Sequence, residues 1–207
     1  MTSTNIEKRK FDQPTVLVVR HGRTRFNSSD PDKDKLKGTR FDLPLTDEGF
    51  AKGRKDAAAI APYAVAKVYH SPMLRAKQTA REIAGARESI EGLKPWDVGY
   101  LSGQARVTAR DRIEYYIRHP FRAIPEGDAY RDFWNEVTAA VSKILKEAVD
   151  ADGALVIVTH SCNVLAIDAY LDGGTPRAHI EGEMPPPGAI LILQKHGGKW
   201  RMNEWKQ

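Results

Sequence analysis

Short runs of apolar and β-branched residues alternate along this chain with longer amphipathic stretches. The runs TVLVV at 15–19 and ALVIV at 154–158 have no regular polar position. Runs of this kind are typical of strands that are buried on both faces of a sheet. Further strands are predicted at AKVYH (66–70), GAILILQ (188–194) and KWRMNEW (199–205).

Helical signals fill the stretches between these strands. Helices are predicted at 45–63, 71–86, 128–149 and 163–171. Thr46 is a candidate N-cap, and acidic residues follow it in the first turn, where the helix dipole favours them. Ser71 is expected to cap the next helix, with Pro72 at its first position, where the missing N–H costs nothing. In 128–149 the apolar residues recur every three or four positions, which indicates one buried face.

The alternation of strands and helices predicts an α/β fold. We expect a three-layer α/β/α sandwich around a mostly parallel central sheet. A chain of 207 residues, with 41% hydrophobic and 29% charged residues, is expected to form a single domain over residues 1–207. Residues 1–13 are expected to be a loose leader. The mixed pattern of about 88–123 is compatible with a lid or a small subdomain.

Charge and composition narrow the function classes. The net charge of +5 favours anionic ligands, but no basic tail or finger-type spacing indicates nucleic acid. The N-terminal residues are polar, so no signal peptide is predicted, and no apolar window is long enough to predict a membrane span. Cys162 is the only cysteine, which excludes an intrachain disulfide framework and fits a reducing compartment. We therefore expect a cytoplasmic protein that binds neither membranes nor nucleic acid.

Candidate catalytic residues follow the predicted strands. Arg20 and His21 follow the first strand, Arg75 lies one turn into the helix after the second, and His160 follows the third. Ligands of open parallel sheets bind beyond the carboxyl ends of the strands, where such residues converge. Two histidines joined by two arginines at one edge indicate a functional site rather than a solvated loop end.

This group suits attack on a phosphoryl group. Phosphoryl transfer depends on positioning and on cancelling the charge of the non-bridging oxygens. Arg20 and Arg75 can bind these oxygens in pairs and replace a metal ion in that role. Neighbouring cations also disfavour the imidazolium form of His21 and keep it nucleophilic. His160 can donate a hydrogen bond to the same phosphate if it is protonated.

Four blocks of the sequence resemble a known family. VRHGRTRFN, DLPLTDEG, SPMLRAKQTA and VIVTHS resemble, in order and spacing, the histidine phosphatase superfamily in its phosphoglycerate-mutase-like branch. The resemblance covers about residues 15–193. It implies that His21 is transiently phosphorylated and that Arg20, Arg75 and His160 form the phosphate pocket. It also implies that Asn27 lines the substrate side of the site.

The chain departs from the family pattern at two positions. Arg23 stands where the family usually has Glu or Gln, which adds a cation near the expected pocket mouth. Pro95 stands where the family usually has the Glu that acts as general acid, and proline has no proton to donate. Asp97 is the nearest carboxylate and is predicted to take the acid role. Asp128 is the alternative, because the family often carries a Gly-Glu-Ser segment there.

The resulting expectation is a metal-independent phosphatase without a cofactor. It would hydrolyse a phosphomonoester of a small metabolite through a phosphohistidine. Seven Lys and Arg against three Asp over residues 20–40 suggest a substrate with a second anionic group, bound in part by Arg23 and Arg25. A mutase-type phosphotransferase and an inactive member that only binds a phosphorylated ligand are the alternatives. The oligomeric state is left open.

Two other motifs are set aside. Cys162 is not expected to be a phosphatase thiol, because the residue six positions later is Asp168 instead of arginine. The acids of DPDKD at 30–34 open like a calcium loop, but Lys35 and Phe41 occupy the positions that require Gly and Glu. This segment is expected to be a solvated loop, and no metal site is predicted.

Overall fold

A six-stranded sheet lies at the centre of the computed structural model, which describes residues 13–174 and 184–204. Its strands are β1 (Thr15–Arg20), β2 (Lys67–His70), β3 (Ala86–Ser89), β4 (Leu155–Thr159), β5 (Ile190–His196) and β6 (Lys199–Glu204). The spatial order is β3-β2-β4-β1-β5-β6. Neighbouring strands from β3 to β1 are parallel, whereas β5 is antiparallel to both β1 and β6. The predicted mostly parallel sheet is confirmed.

Helices cover both faces of the sheet. They are α1 (Asp47–Ile60), α2 (Leu74–Glu82), α3 (Arg106–Arg118), α4 (Tyr130–Glu147) and α5 (Ser161–Leu171). Successive strand residues point to opposite faces. Val16 and Val18 of β1 therefore pack in the core that contains α4 and α5. Leu17 and Val19 pack in the second core, with α1 and α2. The three-layer α/β/α architecture explains why β1 and β4 have no polar face.

The two predicted helix starts have different outcomes. The Thr46 side chain accepts a hydrogen bond from Gly49 N at 3.1 Å and caps α1, as predicted. The prediction for α2 is wrong, because this helix begins at Leu74. Ser71 continues the β ladder, donating its N–H to a β4 carbonyl. The cap comes instead from Asp42, whose Oδ1 accepts from Leu74 N at 2.6 Å.

The segment of about 88–123 is built into the core. It contains short 3₁₀ turns at Glu91–Leu93 and Gly99–Leu101, and then α3. Leu93, Leu101 and Ala109 are fully buried in the same cluster as α4. The exposed edge strand β3, which has little apolar pattern, was not predicted from the sequence.

The described residues do not cover the whole chain. The predicted leader lies outside them except for Gln13, so its conformation and the single-domain division stay predictions. None of the helices within the described residues has the length and apolar character needed to cross a membrane.

Candidate active site

Segments from three strands meet at the carboxyl edge of the sheet. The N–H of His21 donates to the Thr159 carbonyl at 2.9 Å, and that of Ser71 donates to the Val158 carbonyl at 3.0 Å. Each segment thus continues its ladder beyond the strand and is held firmly in register. The rings of His21 and His160 meet edge to face, with centroids 5.2 Å apart. The structure therefore brings the two predicted histidines together.

A cavity of about 90 Å³ opens at this edge. Its lining includes the four residues that the sequence suggested for the phosphate site: Arg20, His21, Arg75 and His160. No Asp or Glu occurs among the described residues that line it. The cavity is therefore cationic and suited to an anion.

His21 is buried and held in one tautomer. Its Nδ1 lies 2.7 Å from the Gly22 carbonyl oxygen. Because a carbonyl can only accept, Nδ1 carries the proton and Nε2 keeps a lone pair. Burial, and next the charges of Arg75 and Arg20, hold the pKa of His21 well below its ordinary value. At neutral pH the ring is an uncharged imidazole, which is the nucleophilic form.

Arg20 and Arg75 are buried with incomplete hydrogen bonding. Arg75 donates from Nη1 to the Phe41 carbonyl at 3.1 Å and from Nη2 to the Gly38 carbonyl at 3.2 Å. Arg20 donates from Nη1 to the Pro185 carbonyl. In both arginines the buried Nε lacks a hydrogen-bond partner among the described residues. Burial lowers the pKa of each to about 10, so both are charged at neutral pH. A buried unpaired N–H costs free energy that a bound anion would recover.

His160 presents a third unpaired nitrogen. Its Nε2 lies 2.8 Å from Ser71 Oγ, and this hydroxyl also accepts from Met73 N at 3.3 Å. When the hydroxyl donates its proton to Nε2, Nδ1 carries the ring proton. Nδ1 is buried, and none of the described residues binds it. Burial, and next the charge of Arg75, hold the pKa of His160 well below its ordinary value.

Two further cations line the cavity, and the sequence analysis had singled out neither of them. Lys37 is only 7% exposed, and no described residue pairs with its ammonium. Burial, and next the charges of Arg20 and Arg75, lower the pKa of Lys37 to about 7. Arg106, the first residue of α3, donates from Nε to Asp34 at 2.9 Å. Neither residue follows a predicted strand, so no sequence pattern marked it individually.

Arg23 and Asn27 lie outside the cavity lining. Arg23 is half-exposed and its Nε is 3.5 Å from Glu48. Asn27 is buried and its Oδ1 accepts hydrogen bonds from both the N–H and the hydroxyl of Thr24, each at 3.1 Å. Asn27 thus holds the turn after His21 in place. Their substrate-binding roles stay predictions that this geometry does not favour.

The two candidate general acids also lie outside the lining, although Pro95 is part of it. Asp97 accepts a hydrogen bond from Gly99 N at 3.0 Å and is 4.0 Å from Arg40. Asp97 therefore caps the turn at Gly99. Burial, and next the charge of Asp97, raise the pKa of Asp128. The acid roles of both residues stay predictions.

Asn163 fixes the wall of the cavity near Pro95. This fully buried residue of α5 donates from Nδ2 to the Leu93 carbonyl at 3.2 Å and to the Lys94 carbonyl at 2.9 Å. Thr159 Oγ1 donates to the Leu93 carbonyl as well, at 3.1 Å. The segment before Pro95 is thereby tied to the same strand and helix that carry His160.

A second cavity of about 430 Å³ adjoins the first, with which it shares Leu36, Arg106, Ile113 and Met184. Its volume is in the range that holds small organic ligands. Among the described residues, no three His, Cys, Asp or Glu side chains converge as metal ligands would.

Comparison with solved structures shows the fold. A phosphoserine phosphatase from Entamoeba histolytica in complex with 3-phosphoglyceric acid is 20% identical, with a TM-score of 0.76 over 93% of this chain and 98% of that one. A mycobacterial glucosyl-3-phosphoglycerate phosphatase is 17% identical, with a TM-score of 0.74 over 93% and 98%. A putative alpha-ribazole-5'-P phosphatase from Escherichia coli is 17% identical, with a TM-score of 0.75 over 95% and 97%.

Sequence comparison shows the family. A probable phosphatase of Schizosaccharomyces pombe is 28% identical over 155 residues, which are 70% of this chain. The match spans 52% of that protein, so the chain corresponds to about half the length of this relative. The profile of the histidine phosphatase superfamily, branch 1, matches residues 16–207, which include the whole cavity edge. The chain belongs to the histidine phosphatase superfamily, branch 1.

Proposed function

We propose that this protein is a metal-independent phosphomonoesterase that acts through a phosphohistidine at His21. One observation carries the proposal. Arg20 Nε, Arg75 Nε and His160 Nδ1 are buried without partners among the described residues, and the three side chains to which they belong line the cavity together with His21. A phosphoryl group bound there would accept hydrogen bonds from all three nitrogens. The phosphatase names of the S. pombe relative and of the structural neighbours support the same activity.

The first chemical step follows from the tautomer of His21. Its Nε2 attacks phosphorus in line with the leaving oxygen, while Nδ1–H stays bonded to the Gly22 carbonyl. This hydrogen bond prevents the ring from turning and stabilises the positive charge that develops on it. Arg20 and Arg75 neutralise the equatorial oxygens in the transition state, the role that a metal ion has in other phosphatases.

The second step is hydrolysis of the phosphohistidine by water. His160 takes part as a hydrogen-bond donor from Nδ1, in the tautomer that accepts from Ser71. Donation from the neutral ring does not require the imidazolium form, which burial and Arg75 disfavour. The sequence predicted Asp97 or Asp128 as the proton donor to the leaving oxygen, but neither residue lines the cavity.

The substrate is proposed to be a small metabolite with a second anionic group. Arg106 supports this better than Arg23 and Arg25, because it lines the cavity and they do not. The adjoining 430 Å³ cavity has room for the alcohol part of the ester. Arg106→Gln is expected to raise KM at least about tenfold for a bisphosphate, with Arg23→Gln as the matched control. Equal KM values for both variants would remove Arg106 from this role.

The activity is tested with the wild type, His21→Ala and the exposed-histidine control His119→Ala. Each protein is incubated with a panel of phosphorylated metabolites in EDTA, and released phosphate and acid-labile phosphoprotein are measured. We expect both signals in the wild type and the control, and neither in His21→Ala. Isomerised product without net phosphate would indicate a mutase. Ligand binding without either signal would indicate an inactive member. A cytoplasmic location stays a prediction from the composition.

A further inference from the structure

Among the described residues, the cavity of the proposed reaction holds no carboxyl group that could act as proton donor. The position where the family usually has its acidic residue is Pro95, and no described lining residue is Asp or Glu. Asp97 caps the turn at Gly99 outside the lining. Without a donor, an alkoxide would have to leave as an anion, and proton donation at this point typically contributes about 10² to 10⁴ in rate.

The remaining proton carriers of the cavity can be compared. The guanidinium groups of Arg20 and Arg75 do not give up protons in this pH range. His160 is held by Ser71 as a neutral ring with its proton on Nδ1, and the N–H of a neutral imidazole is too weak an acid to give up that proton. The Cys162 thiol donates to Asn163 Oδ1 at 3.3 Å, and burial raises its pKa. None of these groups is free to donate and then recover a proton during turnover.

Lys37 meets the requirements that the others fail. It is 7% exposed, lines the cavity, and its ammonium has no partner among the described residues. It is close enough for its charge to act on His21 and His160. Among the described residues, the charges of Arg20, Arg75 and Arg106 act on Lys37 and are opposed by that of Asp34. Such surroundings weaken the hold of the amine on its proton.

We propose that Lys37 is the general acid and base of this site. The inference rests on the proposed phosphatase function. As His21 Nε2 bonds to phosphorus and the P–O bond breaks, the Lys37 ammonium gives its proton to the leaving oxygen and becomes an amine. The alcohol departs neutral. Water then attacks the phosphohistidine, the P–N bond breaks, and a water proton returns to the amine.

The physical basis is the match between the pKa of Lys37 and the working pH. Burial and three arginines bring this pKa to about 7, where an acid donates readily and its conjugate base also accepts. The bound phosphoryl group holds the proton in place until the leaving oxygen becomes basic. Departure of the alcohol then leaves an amine near the water that attacks.

The test compares esters that differ in their need for a proton. The 2,4-dinitrophenolate released from 2,4-dinitrophenyl phosphate leaves readily as an anion. The phenolate released from phenyl phosphate is far more basic and needs a proton. Lys37→Arg keeps the positive charge for phosphate binding but cannot donate a proton. We expect Lys37→Arg to lower kcat/KM, which covers only the steps through phosphoryl transfer to His21, at least about 100-fold for phenyl phosphate and less than about 5-fold for 2,4-dinitrophenyl phosphate. Lys33→Arg, in an exposed ion pair of the same loop, is the matched control.

A pH profile provides a second readout. The alkaline fall of kcat/KM for phenyl phosphate is expected in the wild type and the control, and absent in Lys37→Arg, because arginine does not titrate there. Lys37→Gln is expected to show the same dependence on the leaving group. It is also expected to have a higher KM, since it has lost the charge.

Each outcome decides a different claim. Equal losses with both esters would show that Lys37 only binds phosphate and would overturn the proposal. A loss confined to the phenyl ester in Asp97→Asn or Asp128→Asn, and absent in Lys37→Arg, would assign the role to that carboxylate. A wild type that hydrolyses neither ester would instead overturn the proposed function itself.

Discussion

Replacing Lys37 with methionine should stabilise the fold while it damages the site. The side chains have similar length, and Lys37 is 7% exposed, so the substitution removes a buried charge without leaving a large cavity. Burial, and next the charges of Arg20 and Arg75, lower the pKa of Lys37 from its ordinary 10.5 to about 7. The unfolded chain therefore binds this proton more tightly than the folded protein does.

The size of the effect follows from linkage. Each pKa unit corresponds to about 1.4 kcal/mol, so the charged amine costs the folded state at most about 5 kcal/mol near pH 7. The cost shrinks as the pH rises from about 7 to 10.5, because the amine becomes neutral in both states. We expect Lys37→Met to raise the free energy of unfolding by about 2–4 kcal/mol at pH 7. Near pH 10.5 the gain should fall below about 1 kcal/mol.

Urea denaturation of wild type and variant at pH 7 and pH 10.5 measures this difference. Lys146→Met, on the exposed side of α4, is the matched control and should change stability by less than about 0.5 kcal/mol at either pH. A destabilised Lys37→Met at pH 7, or a gain that is the same at both pH values, would refute the assigned burial and charge of Lys37.

The other predictions concern the site edge and the helix that packs beside it. As the pH falls below about 6.5, the free energy of unfolding should decrease by up to about 1.4 kcal/mol per pH unit for each of His21 and His160. Their lowered pKa values leave both rings neutral in the folded protein, whereas the unfolded chain takes up protons. Denaturation at pH 7 and 5.5 should show a smaller loss of stability in the double alanine variant, and an equal loss would contradict the prediction. Gly49→Ala would place a Cβ 2.4 Å from a backbone carbonyl oxygen and should cost about 1–3 kcal/mol in the same assay, whereas Gly53→Ala in the same helix meets nothing closer than 3.5 Å and should cost nothing. Asn163→Ala should lower stability by about 1–3 kcal/mol, because the Leu93 and Lys94 carbonyls both lose a hydrogen-bond donor; a loss below about 0.5 kcal/mol would refute the wall contact.

The parts of the fold that sequence reasoning reached are those with a periodic or continuous apolar pattern. β1 and β4 were found because burial on both faces leaves no polar position, and α4 because its buried face repeats. The prediction that Ser71 caps α2 failed although its hydroxyl has the chemistry of an N-cap. In the structure this hydroxyl bonds to His160, which is 89 residues away in the sequence. β3 escaped because an exposed edge strand needs no apolar run. Local signals therefore failed where tertiary contacts decided the outcome.

The site divides in the same way. His21 and His160 were found because they follow strands, and parallel strands end at one edge. Lys37 could not be found by that reasoning, since it lies in an irregular connection with no period. One local signal was present: Gly38, with φ of 55°, follows it, and its carbonyl binds the buried Arg75. Lys37, next to this contact, lines the same cavity as Arg75.

Burying several cations side by side costs the folded state free energy. Arg20, Arg75 and Lys37 are buried together, and burial lowers the pKa of all three. Nothing in the fold requires this arrangement, because apolar residues would pack there at lower cost. A protein keeps such a cluster when a ligand supplies the missing negative charge and the missing hydrogen-bond acceptors. A bound phosphoryl group therefore offsets the cost of burying these three cations.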